Sequence, residues 1–392
     1  MNITASGTTI TEADKAAMHA VVDRGWITAS AINKEFEKQF GDFVGVPHVR
    51  TTNSGSSSNL LAVAAMVESG RWKAGDEIIT PACAFPTTVN PLLLYGLVPV
   101  FIDVDIPTYN ATVDAVEDAI TGKTAGIMMA HTLGNPFHPS VFNLGLPVIE
   151  DSCDALGSLV KGAHVGQKGV LATCSFFPAH HITMGEGGAV FTQDKELITT
   201  VESIRDWGRD CYCEPGCENT CGKRFEHRLG GLPYGYDHKY TYTHLGFNLK
   251  ITEIQAALGL SQLQRLPEFI KARRENFDFL HGGLQKLSGK LLLPEATVGT
   301  TPSWFGFPLT IRAEGERHAL QEYMTECGVG TRLLFSGNIT RQPYMRDRRY
   351  RIHGTLTNCD RIMNDTFWIG VWPGLTTDNL QYMIDKLEAF FK

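Results

Sequence analysis

The sequence predicts an α/β protein: a large domain built on a mainly parallel sheet, followed by a smaller α+β C-terminal domain. Three observations carry this expectation. Short Val/Ile-rich runs alternate with helix-like stretches over the first 250 residues or so, the pattern of a sheet covered on both faces. The motifs that could carry chemistry fall where those runs end, as ligand sites do in such sheets. The chain has 392 residues, 43% hydrophobic and 20% charged, which is enough for a large core and two domains.

The elements follow in order. "FVGVPHVRTTNSGSSSNLLAVAAMVESG" goes from strand through a Gly/Ser loop into a helix. "DEIITPACAF", "VPVFIDVD", "TAGIMMAHTLG", "LPVIEDSC" and "VLATCSFF" supply further strands. "SFFPAHHITMGEGGAV" (175–190) reads as strand, glycine-rich bend and strand. A helix-like stretch starts near 251, and Pro267 is expected to kink or break it. The expected domains are 1–260 and 261–392. The second contains a strand in "FGFPLTIRA" and helices in "RHALQEYMTECG" and "NLQYMIDKLEAFF".

The net charge of −7 argues against nucleic acid or an anionic membrane as partner. There is no apolar run of transmembrane length and no basic-then-apolar leader at the N-terminus. A cytoplasmic location is expected. Nine cysteines, an odd number, argue against a disulfide framework. Four of them crowd into "CYCEPGCENTC" (211–221), in a segment without helical or strand periodicity. Such clustering points to a metal site, and on spacing alone zinc and an iron–sulfur cluster are both open.

Other stretches have two readings each. "TTNSGSSSNLLA" (51–62) is either a phosphate cradle at a helix N-terminus or a capped helix with a flexible entry. Glu150, Asp151 and Asp154 end a strand, to pair with a cationic ring nitrogen or to cap the next helix. Phe85 either stacks on a planar ligand or belongs to the core. The bend at 175–190 carries His180 and His181 side by side, and no lysine occurs between Lys168 and Lys195.

Taken together, these stretches resemble the nucleotide-sugar aminotransferases of aspartate-aminotransferase-like fold (PLP fold type I). The matching segments "NSGSSSNLLA", "PACAF", "FIDVD", "IEDSCDALGS", "SFFPAHHITMGEGGAVFT" and "LGFNLKITEIQAALG" run in the family's order over about 50–260. In the family, the bend before "GEGG" holds the lysine that anchors pyridoxal phosphate. Here His180 stands at that place. One branch combines this histidine with clustered cysteines: the CDP-4-keto-6-deoxyglucose 3-dehydratases, which use pyridoxamine phosphate and a [2Fe–2S] cluster. Their pattern is C-x57-C-x-C-x7-C, and the intervals among Cys153, Cys211, Cys213 and Cys221 match it, with 57, one and seven residues between.

The resemblance implies the following. Cys153, Cys211, Cys213 and Cys221 ligate the cluster on a loop at about 205–225, and Cys217 is a bystander. Asp151 pairs with the pyridine nitrogen, and Phe85 stacks on the ring. Gly55, Ser56 and Ser175 surround the phosphate. Asn248 reaches the phosphate of a neighbouring subunit, so a homodimer is expected. His180 is the base at C4′ of the cofactor, with an unperturbed pKa of about 6.5 suited to the task. Asp154, Phe177, Phe305, Arg332 and Arg341 are candidate substrate residues. Asp154 stands where aminotransferases usually have His or Gln, and Phe177 where His or Tyr is common. The implied substrate is a nucleotide-linked 4-keto-6-deoxyhexose, and the electron donor is an iron–sulfur flavoprotein reductase or a ferredoxin. Two alternatives stay open. One is a 3-dehydratase for a dTDP or GDP sugar, or one without cluster redox. The other is a non-catalytic protein with structural zinc.

Overall fold

The computed structural model describes residues 2–213 and 216–392. The first part of the chain runs α1 (Glu12–Arg24), α2 (Ala31–Val44), β1 (His48–Thr52), α3 (Gly55–Glu68), β2 (Glu77–Pro81), α4 (Pro86–Leu94) and β3 (Val98–Ile102). It continues with α5 (Val113–Asp118), β4 (Thr124–Ala130), β5 (Val148–Asp151), β6 (Leu159–Val160), β7 (Ala163–His164), β8 (Leu171–Ser175), β9 (Gly188–Thr192) and α6 (Lys195–Arg205). After a long loop come α7 (Glu253–Leu284), β10 (Leu291–Leu292), β11 (Thr300–Thr301), β12 (Gly306–Ile311) and α8 (Arg317–Glu326). The chain ends with β13 (Thr331–Arg332), β14 (Arg351–Ile352), α9 (Thr357–Asp365), β15 (Thr366–Gly370) and α10 (Thr377–Phe390).

The large sheet has the order β1-β9-β8-β5-β4-β2-β3-β14. Its pairs from β8 through β14 are parallel, and β9 is antiparallel to both β8 and β1. Every residue of β2, β3, β8 and β9 is buried, as expected when helices cover both faces. On one face α3 buries an unbroken run from Leu61 to Met66. On the other, Phe36 and Phe40 of α2 pack against Phe176. The smaller sheet, β10-β12-β15-β13, is antiparallel. Its core includes Leu320 and Met324 of α8 and Leu380, Met383 and Leu387 of α10.

The expected boundary at 260 is corrected in three ways. It falls inside α7, which runs unbroken through Pro267. The first half of α7, including Leu263, Leu266 and Ile270, packs into the core beside α2 and β8, while Phe277, Leu280 and Leu284 pack into the small core. Favourable packing along both halves outweighs the hydrogen bond lost at the proline. In addition, β14 from the C-terminal part joins the large sheet, and Ile3 from the N-terminus packs into the small core.

Caps set the helix starts. The Ser54 hydroxyl accepts from Ser57 N at 3.1 Å to open α3, and Thr252 with Gln255 forms a capping box on α7. Helix α2 has no side-chain cap of its own at Ser30. Buried Glu253 supplies it from α7: its carboxylate accepts from the backbone N–H groups of Ser30, Ile32 and Asn33 and from Arg24. Among the described residues, no helix is long and apolar enough to cross a membrane.

Candidate active site

A cavity of about 440 Å³ opens at the C-terminal ends of the parallel strands, within the usual range for a small-ligand site. It is lined by Gly55 and Ser56 from the start of α3, Phe85 before α4, Asp151 at the end of β5 and Ser175 at the end of β8. Asp154, Phe177, His180, Phe305 and Arg332 also line it, so the structure brings together most residues selected from sequence. Asn248 and Arg341 are not among its lining residues. Asn248 lies beyond α6, bridged to Asp206 through the backbone. Arg341 is engaged by the Asp360 carboxylate at 2.7 Å.

One end of the cavity suits an anion. Helix α3 points its N-terminus there, and unpaired N–H groups at such ends attract negative charge. Gly55 is required by space: a Cβ at this position would lie 2.5 Å from Ser175 Cβ and 3.1 Å from Cys153 Sγ. In the middle, Asp151 is held by three donors. Asn59 Nδ2 and Thr88 Oγ1 donate to Oδ2 at 2.8 and 2.7 Å, and Cys153 N donates to Oδ1 at 3.2 Å. Phe85 is 50% exposed, with a ring free to cover a planar ligand. These features fit pyridoxamine or pyridoxal phosphate: an anion cradle, an oriented carboxylate and an aromatic face.

His180 stands at the far side of this cavity, with no lysine among the lining residues. Its Nδ1 lies 3.4 Å from Asp154 Oδ1. Burial, aided by Arg273, pushes the His180 imidazole down to about 3, and burial, aided by the Asp151 charge, pushes the Asp154 carboxyl up to about 8. Near pH 7 the two therefore face each other uncharged, so the contact is not an ion pair. The expectation of an unperturbed histidine is corrected: burial in its pocket disfavours the charged imidazole.

The four thiols expected from the resemblance line two separate recesses of this chain. Cys153 follows β5 by two residues. Its backbone is tied to Asp151 and its Sγ lies beside Gly55 and Ser175, inside the cofactor cavity. Burial pushes this thiol well up, and the Asp151 charge adds to the effect, so it is kept protonated. Cys211, Cys213 and Cys221 line a separate recess with His238. Cys217 is exposed, and Glu214 and Pro215 of the expected cysteine loop lie outside the described residues.

A model of the DegT/DnrJ/EryC1/StrS aminotransferase family matches residues 8–388. The chain belongs to that family. A Salmonella typhimurium protein named lipopolysaccharide biosynthesis protein RfbH is 57% identical over 380 residues, covering 94% of this chain and 86% of that protein. The dTDP-4-dehydro-2,6-dideoxy-D-glucose 3-dehydratase of Saccharopolyspora spinosa is 48% identical, covering 98% of this chain and 86% of that protein. Among solved structures, GDP-4-keto-6-deoxymannose-3-dehydratase with a trapped PLP-glutamate geminal diamine superposes with a TM-score of 0.89 at 28% identity, over 98% of this chain and all of that one. The fold is that of the type I aminotransferases.

Against this DegT/DnrJ/EryC1/StrS background, two residues around His180 acquire roles that the sequence did not disclose. Arg273 on α7 is 1% exposed. It donates to the carbonyls of Ala179 and His180 at 3.4 and 3.1 Å, and to those of Trp304 and Phe305 at 3.3 and 3.2 Å. It therefore clamps the bend that carries His180. In sequence it sits in "KARREN", which looks like a solvated helix face. His181 turns away from the cavity and pins the same bend by a 2.9 Å contact from Nε2 to the Ser303 carbonyl. It belongs to the scaffold.

Proposed function

We propose that this chain is a 3-dehydratase of a nucleotide-linked 4-keto-6-deoxyhexose, CDP-4-keto-6-deoxyglucose being the favoured substrate, acting in deoxysugar biosynthesis. The observation that carries the reading is the cavity itself, which offers an anion cradle, an oriented carboxylate and an aromatic face, with His180 where the resemblance expects the anchoring lysine. The named 3-dehydratases among the relatives support it. The cofactor in this proposal is pyridoxamine phosphate, or pyridoxal phosphate, held without a covalent bond. The electron source is a [2Fe–2S] cluster fed by an iron–sulfur flavoprotein reductase or a ferredoxin. The protein would act as a homodimer, with Asn248 directed to the partner's phosphate site.

When bound, the amine cofactor supplies a group that condenses with the C4 ketone and a ring that accepts electrons. The chain's own residues do the rest. Gly55, Ser56 and Ser175 hold the phosphate, and Phe85 covers one ring face. Asp151, fixed by Asn59 and Thr88, keeps a proton on the ring nitrogen. His180 takes the proton from C4′, with Asp154 beside its Nδ1. The C3 hydroxyl then leaves. Phe177, Phe305 and Arg332 face the sugar and nucleotide side.

The test is incubation with pyridoxamine phosphate, a reductase and, in parallel, the CDP, dTDP and GDP forms of the keto-sugar, with products identified by mass spectrometry. Loss of the C3 hydroxyl supports the reading. Conversion of the ketone to an amine, driven by glutamate and with C3 intact, would replace it with an aminotransferase. No reaction with any of the three sugars would favour the non-catalytic alternative.

A further inference from the structure

Part of the cavity wall comes from a segment that the sequence did not single out. Ser6 lines the cavity together with Arg332. Residues 3–9 form a strap that runs from the small core to the half of α7 packed in the large one. At one end Ile3 pairs in parallel with Val329: Ile3 N donates to the Gly328 carbonyl at 2.8 Å, and Gly330 N donates to the Ile3 carbonyl at 2.7 Å. Trp372 Nε1 donates to the Thr4 carbonyl at 3.1 Å. At the other end the Thr9 carbonyl accepts from Gln262 Nε2 and the Arg265 guanidinium, at 3.0 and 3.2 Å. The strap lies close against what it crosses. A Cβ on Gly330 or Gly370 would meet the Ala5 backbone at 2.9 and 2.5 Å, and one on Gly7 would come within 2.9 Å of the Trp372 ring. Ser6 is thus held from both sides.

The register decides what Ser6 faces. Continued by three residues from the Ile3–Val329 bridge, it sets Ser6 beside Arg332. Alternate side chains of an extended segment share a face. Ile3 and Ala5 are buried, whereas Thr4 is exposed and Ser6 half-buried. The cavity wall around the pair is apolar, formed by Leu133, Phe177, Phe305, Leu333, Phe335 and Trp368. The Ser6 hydroxyl makes no hydrogen bond to the described residues. Arg332 makes no ion pair among them, and its Nη1 donates to the neighbouring Thr331 carbonyl at 2.8 Å. A few polar groups set in an apolar wall are what orient a ligand in such a cavity. A guanidinium beside a hydroxyl suits a phosphate oxygen.

We propose that Ser6 is a substrate-binding residue whose hydroxyl, together with the Arg332 guanidinium, holds one phosphoryl group of a nucleoside diphosphate, the strap of residues 3–9 serving to fix it there. The inference rests on the nucleotide-linked substrate proposed above. It does not depend on whether the sugar then loses its C3 hydroxyl or gains an amine.

The experiment titrates full-length protein, loaded with pyridoxamine phosphate, with CDP, dTDP and GDP in parallel by calorimetry. The proteins are wild type, Ser6→Thr, Ser6→Val, Arg332→Gln and Ser6→Val/Arg332→Gln. Ser6→Thr keeps the hydroxyl and is expected to bind like wild type. Ser6→Val has the shape of threonine without the donor and is expected to bind about tenfold more weakly. The double variant is expected to lose less than the product of the two single losses, because both side chains hold one group. Affinity for pyridoxamine phosphate is expected to stay the same in all five. In turnover of the sugar substrate, Ser6→Val is expected to raise KM and leave kcat unchanged. The proposal is overturned if Ser6→Val binds like wild type, if Ser6→Thr is as weak as Ser6→Val, if the two losses simply multiply, or if cofactor affinity falls along with nucleotide affinity. Wild type that binds none of the three nucleotides overturns the nucleotide-linked reading and this inference together. Wild type that binds one of them no better than Ser6→Val does overturns this inference alone.

Discussion

Replacing Asp154 with Asn should flatten the pH dependence of stability above neutrality. Folding raises the Asp154 carboxyl from its ordinary 3.8 to about 8, chiefly by burial, and lowers the His180 imidazole from 6.5 to about 3, also by burial. Between 3.8 and 8 the folded state holds a proton on Asp154 that the unfolded chain has released. Stability contributed by this group is thus greatest at low pH and falls as pH rises. His180, like His181 and His164, works the other way: below pH 6.5 the unfolded chain takes up a proton that the folded state refuses, so stability falls as pH falls. The opposing slopes place a maximum near pH 6.5. From there to about pH 8 Asp154 acts against the fold at about 1.4 kcal/mol per pH unit, about 2 kcal/mol over the interval. The Asn variant keeps the shape of the side chain and removes the titration. Urea denaturation of cofactor-free protein at pH 6.5 and 8 should therefore show wild type losing about 2 kcal/mol more than the variant. Parallel losses in the two proteins would refute the assignment of Asp154 as a buried, protonated acid.

Further outcomes follow from the same geometry. Gly55→Ala should weaken binding of pyridoxamine phosphate by tenfold or more, read by equilibrium dialysis, since the added Cβ must push Ser175 away at a cost of about 1–3 kcal/mol. His180→Asn should abolish C3 elimination and leave cofactor affinity unchanged, whereas His180→Lys should hold pyridoxal phosphate covalently, as a yellow protein that survives gel filtration. Arg273→Lys should lower kcat about a hundredfold with little change in KM, because the bend of His180 loses its four-carbonyl clamp. Glu253→Ala should cost about 3 kcal/mol in urea unfolding, since three amides opening α2 and the Arg24 guanidinium lose their acceptor together.

The sheet was legible in the sequence because its strands are short, apolar and bounded by helix-like segments, and the strand-end residues Asp151 and Ser175 fall in the cavity as that pattern expects. The anchor position came from the resemblance, in which His180 stands where the family has its lysine. What escaped were partners brought in from a distance. Glu253 caps a helix more than 200 residues earlier in the chain, and a single glutamate at a helix start gives no sign of that. Arg273 looks solvated because its neighbours Lys271, Arg274 and Glu275 are charged, yet it is buried. Cys153 shows the converse. The interval pattern groups it with the loop thiols, but the direction in which β5 ends turns its side chain into the cofactor cavity. The domain cut at 260 failed because a proline in a long helix was weighed more heavily than the apolar positions that continue past it.

Helix α7 has a mechanical consequence. The side chain of Arg273 ties the carbonyls on both sides of the junction between the two cores, 179–180 on one and 304–305 on the other. A displacement of the small unit relative to the large sheet cannot leave this arginine behind, and the arginine cannot move without dragging the backbone of His180. The small unit and the bend that carries His180 are thus geared to one another.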